Sequence, residues 1–239
     1  MAISTIDESQ RKAARVVGFT YLLTDATAIF AEFVVRSRLV VYNDAAKTAA
    51  NVRASERLFR LGVATELITF ATVVVLIAAL YVTLKPVNRG LALLAVFWRL
   101  VEASICVVMT LSSFSVLGLL SRAAYLRAFE VDRLQALTML AIGAHDDGYN
   151  VAMIFFGLGS TVFSYLWFKS RYVPRVLAAW GVFSSLLVVP CTLALVIAPK
   201  LADILGTGFY VPILIFELGL GLWLLIKGLR PSLVAEKEP

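Results

Sequence analysis

The sequence predicts an all-α, polytopic membrane bundle of about six transmembrane helices, and three observations carry that prediction. Of 239 residues, 60% are hydrophobic and 16% charged, with a mean hydropathy of +0.87, which is more apolar side chain than a soluble chain of this length needs for one core. Long runs with few charges, such as Leu67 to Leu84 and Ala152 to Phe168, reach the roughly 17–25 residues that cross a hydrocarbon layer about 30 Å thick. Lipid offers a backbone no hydrogen bonds, so each run has to satisfy its own amides as a helix.

The first segment, near 15–35, follows Arg11, Lys12 and Arg15. It is longer than the apolar part of a signal peptide, contains Asp25 and Glu32 and leads into no small-residue cleavage site, so a retained first helix is expected. Residues 36–58 are polar and alanine-containing, and Asn43 or Asp44 is placed to cap a short helix starting at Ala45. A second segment near 59–84 ends at Lys85-Pro86-Val87-Asn88-Arg89-Gly90, a short basic turn broken by proline. The third segment runs near 90–118 and is followed by another helix-compatible connection over 119–136. The fourth, near 140–168, is expected to open with His145, Asp146 and Asp147, where acidic groups suit the positive end of a helix. It closes on Lys169-Ser170-Arg171-Tyr172-Val173-Pro174-Arg175. The fifth, near 175–198, carries Pro190, and the sixth, near 210–228, carries Pro212 at its start; such prolines loosen or bend a helix and can open room beside it, and packing alone accounts for them equally well. All of this reads as a single integral membrane domain, 1–239.

Orientation rests on where the positive charge sits. The termini and the two basic turns hold 11 Lys and Arg, against 10 in the connections on the other side, so the totals alone decide little. The two turns are short and flank their spans directly, where positive charge biases insertion most, which places them and both termini in the cytoplasm and the two helical connections outside. The formal charge of +6 calls for no nucleic acid, because no basic stripe with interleaved aromatics lies outside the spans. Loop Lys and Arg serve topology and membrane lipid head groups.

Charges inside the hydrocarbon are the informative residues, since a central Arg or Asp costs about 2.5–3.5 kcal/mol on insertion scales and persists when paired or wetted. Asp25 and Glu32 lie seven apart on one face of the first segment, Glu66 in the second, Arg99 and Glu102 in the third, and Glu217 in the sixth. Arg99, Glu102, Cys106, Thr110 and Ser113 recur at helical spacing as a small, polar stripe. Five acids against one Arg means that some are protonated, wetted or engaged with a cation. Counted from the segment ends, Asp25, Arg99 and Glu217 fall near mid-membrane and Glu32, Glu66, Glu102 and the His145 group nearer the outer side, so the set is expected to converge on one outward-opening polar pocket. His145, the sole histidine, and Asp146 are weak metal candidates; one imidazole gives no zinc spacing, and a hydrogen-bonded histidine is the favoured reading. Cys106 and Cys191 fall within spans and act as small apolar residues. No phosphate loop, catalytic triad or nucleophile elbow is present, and no cofactor is expected.

Several stretches are specific in combination: Ala31-Glu32-Phe33-Val34-Val35-Arg36-Ser37, Ala54-Ser55-Glu56-Arg57-Leu58-Phe59-Arg60, Lys85 to Leu94, Phe97-Trp98-Arg99-Leu100, Phe155-Phe156-Gly157-Leu158, Ser170 to Arg175, and Glu217 to Leu225. Over most of its length the chain resembles an uncharacterised bacterial multi-spanning family, the domain of unknown function 4386. The resemblance implies a single domain in the bacterial inner membrane, and brings no known activity, cofactor or partner. Within the shared pattern Glu32, Arg99 and Glu217 are intramembrane charges, and His145 stands where the family often has a histidine.

Function is therefore expected from the pocket candidates Asp25, Glu32, Glu66, Arg99, Glu102, His145 and Glu217, binding or passing a small polar ligand, cation or proton. Two rivals stand beside it. In an accessory subunit the same charges hold the bundle together or meet a second copy or a partner helix; in a metal-dependent intramembrane hydrolase His145 and nearby acids are catalytic.

Overall fold

A computed structural model describes residues 6–121, 123–201, 204, 206 and 208–230, and within them every regular element is helical. The elements are α1 Glu8–Leu39, α2 Ala45–Ala54, α3 Glu56–Leu84, α4 Arg89–Leu119, α5 Val131–Ser170, α6 Arg175–Ile197 and α7 Val211–Ile226. All but the short α2 are long and apolar enough to cross a membrane, α7 together with the turn of 3₁₀ helix that precedes it. The chain is thus a multi-pass membrane protein built as an all-α bundle.

Two helices begin well ahead of the sequence reading. α1 begins at Glu8 because Asp7 and Gln10 form a reciprocal cap: Gln10 N donates to Asp7 Oδ1 at 2.7 Å and Asp7 N to Gln10 Oε1 at 3.2 Å. α5 begins at Val131 and runs for 40 residues. Residues 131–139 contain neither proline nor glycine, so nothing interrupts the helix where its apolar character begins. His145, Asp146 and Asp147 consequently lie inside α5, beyond reach of the partial positive charge at its start. The short helix after the first span is present, capped by Asp44, whose Oδ1 accepts from Lys47 N at 2.8 Å. In the other long connection a 3₁₀ segment covers Ala124–Ala128.

α1 contains a second departure, a π-helical stretch over Phe30–Arg36. Such a stretch turns less per residue than an α-helix, so a seven-residue spacing that enters it no longer returns to the same face. Asp25 is buried at 6% exposure, whereas the Glu32 side chain is 56% exposed.

The chain divides into two compact units: Met1–Asp25, Thr72–Ala103 and Asn150–Pro239 form the first, Ala26–Ala71 and Ser104–Tyr149 the second. In the first, Leu76, Leu80, Phe163, Trp167, Tyr172 and Phe216 are among the buried core. A buried amide ties its ends: Gln10 Nε2 donates to Thr83 O at 3.1 Å and to Tyr172 Oη at 3.5 Å, while Arg230 N donates to Tyr172 O at 2.8 Å. The second unit packs Val35, Leu39, Val52, Phe59, Val116 and Ile142.

Candidate functional site

The first unit gathers its buried charge around Arg99, which is 3% exposed. α5 makes the room: a Cβ at Gly159 would stand 2.6 Å from Arg99 Cγ, so only the missing side chain lets the stem lie there. Phe156, three residues earlier and on the same face of α5, carries the guanidinium over its ring at 4.4 Å from the centroid. Arg99 Nη1 is 3.1 Å from Glu102 Oε2. Neither atom finds an aligned hydrogen-bond partner, so that contact is one of charge more than of hydrogen bonding.

α1 and α7 bring the other two acids. A Cβ at Gly18 would lie 2.8 Å from Gly221 O and 3.0 Å from Leu225 Cγ, and a Cβ at Gly221 would meet Leu22 at 3.0 Å. As residue numbers rise along α1 they fall along α7, so the helices are antiparallel and their backbones nearly touch at the two glycines. Side chains lean toward the N-terminus of their own helix. On antiparallel helices Asp25 and Glu217 therefore lean toward each other, and the two buried carboxyl groups interact. Asp25 Oδ2 is buried and has no partner. Tyr21, one turn before Asp25 and 4% exposed, adds a buried phenol that interacts with Asp25, Arg99, Glu102 and Glu217. The stripe on α4 is buried throughout, from Arg99 and Glu102 through Cys106 and Thr110 to Ser113.

The second unit assembles a different group around Arg36, the last residue of the π-helical stretch. Its Nη2 is hydrogen-bonded to Asp146 Oδ1, its Nε lies 3.9 Å from Glu32 Oε2, and its Nη1 lies 3.3 Å from His145 Nδ1. On the far edge of the ring, His145 Nε2 is 3.3 Å from Glu66 Oε1 and 3.4 Å from Oε2. Tyr42 Oη donates to Asp146 Oδ2 at 3.4 Å.

Of the residues singled out in the sequence, Asp25, Arg99, Glu102 and Glu217 thus belong to the first unit, and Glu32, Glu66, His145 and Asp146 to the second. Arg99 and Glu102, three apart on one helix face, pair with each other. Arg36 was counted as a connection cation, although its spacing of four from Glu32 was a legible pairing signal. Tyr21 offered the same signal relative to Asp25, while Tyr42 offered none. Among the described residues no group of three His, Cys, Asp or Glu side chains is arranged to hold a metal ion, and both ring nitrogens of His145 face other side chains.

The chain matches the family described as a domain of unknown function, DUF4386, over residues 16–228, and it belongs to that family. No curated protein and no solved structure matches it.

Proposed function

We propose that this member of the DUF4386 family handles protons, or a small cation in a proton's place, at the Asp25–Glu217 carboxyl pair within a polar pocket that opens away from the cytoplasm. The single observation that supports the reading is that two buried acids, Asp25 and Glu217, interact with each other, with Asp25 Oδ2 buried and receiving no hydrogen bond. Two such carboxyl groups can share one proton, take up a second, or exchange a proton for a cation that both can face. Arg99 and Glu102 neutralise each other next to the pair, so its occupancy sets the net charge of the group. We further place the protein in the bacterial cytoplasmic membrane with both termini inside, as its short basic turns suggest.

The test is flux in proteoliposomes. Glu217→Gln keeps shape and removes the exchangeable charge; the expected outcome is loss of proton or cation movement driven by a pH gradient, with the protein still folded by its thermal transition. Equal flux from the native chain, the variant and empty vesicles refutes the proposal. A second reading, that of an accessory subunit, is favoured by one contact set: Arg99 stacks on Phe156 and fills the space left by Gly159, which links α4 to α5 without any ligand. Under that reading Glu217→Gln changes thermal stability alone.

A further inference from the structure

The group around His145 has no place in the carboxyl-pair reading, and its hydrogen bonds are informative about protonation. An arginine has donors and no acceptor. With Arg36 Nη1 at 3.3 Å from His145 Nδ1, the arrangement suits a ring whose Nδ1 accepts from Arg36 and whose proton sits on Nε2, where Glu66 accepts at 3.3–3.4 Å, that is, a neutral ring. A protonated ring carries a second N–H at Nδ1, pointing at the Arg36 donor. A carboxylate acceptor for that new N–H, Asp146 Oδ1, lies at 3.8 Å, and this oxygen is the one that holds Arg36 Nη2.

We propose that His145 is a proton-operated latch on the C-terminal end of α1: the neutral ring holds Arg36 against α5, and the protonated ring takes Asp146 and drives Arg36 off. The proton adds to Nδ1 and no other bond is made or broken covalently. Glu66 is kept as a partner in both states, so the ring does not leave its place. Arg36 alone moves, and it is the last residue of the π-helical stretch, a register that can re-form as ordinary helix.

The groups around the ring are compatible with this exchange. α1 brings Glu32 and Arg36, the turn that follows brings Tyr42, α3 brings Glu66, and α5 itself brings Asp146, with Asp147 and Tyr149 within one turn. Residues 104–119 of α4 contain Cys106 as their one titratable side chain. The three facing carboxylates welcome a second positive charge in the group, and Arg36 opposes it, so the cost of protonation falls on the Arg36 contact. The ring is buried, with a side-chain exposure of 7%, whereas Asp146 is 34% exposed and gives the proton its way in.

The test uses the full chain in lipid nanodiscs with Cys106→Ala and Cys191→Ala, and nitroxide labels at Arg38→Cys and Ala144→Cys, both exposed positions of the second unit. Going from about pH 8 to about pH 5, across the ordinary histidine range near 6.5, the distance distribution between the labels is expected to lengthen and to about double in width. H145Q, which retains an acceptor but takes no proton, is expected to keep the narrow distribution at both pH values. R36Q is expected to show the wide one at both. A distribution that does not change with pH in the His145 chain overturns the latch, and so does a pH response that survives in H145Q. The readout does not depend on proton or cation flux, so the latch stands or falls apart from the carboxyl-pair reading.

Discussion

Replacing Arg99 is the perturbation whose size the structure defines best. The guanidinium is buried, paired with Glu102 at 3.1 Å and stacked on Phe156 at 4.4 Å. Arg99→Met keeps much of the stem's volume and removes the charge, leaving Glu102, itself 6% exposed, without its counterion. Breaking a buried pair from one side costs about 3–5 kcal/mol, because the remaining charge is neither solvated nor matched. Glu102→Gln in the same chain removes that residual charge, so the double variant should regain most of the loss and settle about 1–2 kcal/mol below the native protein, the part due to the lost cation–π contact and imperfect packing. The stacking loss occurs in Arg99→Met with or without Glu102→Gln and cancels in the cycle, so the recovery of about 2–3 kcal/mol on adding Glu102→Gln to Arg99→Met is a lower bound on the coupling, to which the cost of Glu102→Gln alone adds. Denaturant unfolding in a mild detergent, followed by tryptophan fluorescence, measures all four corners. Additive single effects would refute the pairing, and a coupling found with Glu217→Gln in place of Glu102→Gln would assign the wrong partner to Arg99.

Three further outcomes follow from contacts elsewhere. Gln10→Ala leaves Thr83 O and Tyr172 Oη without their buried donor and should cost about 1–3 kcal/mol in the same unfolding assay; a change below about 0.5 kcal/mol contradicts the tie. Gly18→Ala places a methyl 2.8 Å from Gly221 O, a backbone atom that cannot swing aside, so α1 and α7 have to part at a cost of about 1–3 kcal/mol, with a lowered thermal midpoint as the readout. Topology is checked with cysteines at Arg89 and Lys169, exposed residues on the two basic turns, in a chain otherwise free of cysteine. A membrane-impermeant maleimide should reach them only in inverted vesicles, and labelling in intact cells reverses the orientation. Lys169 serves better than its neighbour Ser170, which is buried.

The architecture was legible because it rests on one-dimensional quantities. Run length, charge sparsity and proline placement separate six spans without knowledge of which faces meet, since the bilayer imposes the same requirement on every one of them. The α4 stripe was legible for the same reason: a period of 3.6 is written in a single segment, and Arg99 to Ser113 all turn inward. Reading stopped at local backbone chemistry that hydropathy does not register. The Asp7–Gln10 cap lies in a polar stretch, the first turns of α5 are helical without being apolar, and a π-helical register leaves no mark in composition.

The sequence by itself determined that acids outnumber bases within the spans, that Arg99 is a cation among them, and that His145 is the lone imidazole. Which charged groups meet across different helices was decided only in three dimensions. Asp25 joins Glu217 because Gly18 and Gly221 let two antiparallel backbones approach, and Glu32 leaves Asp25's face because the π-helical stretch turns it away. Arg36 meets His145 although 109 positions separate them. Charge composition is a property of the chain, but pairing depends on helix register and on the distance between backbones to within about one ångström, and those are set by side chains, or their absence, on a neighbouring helix.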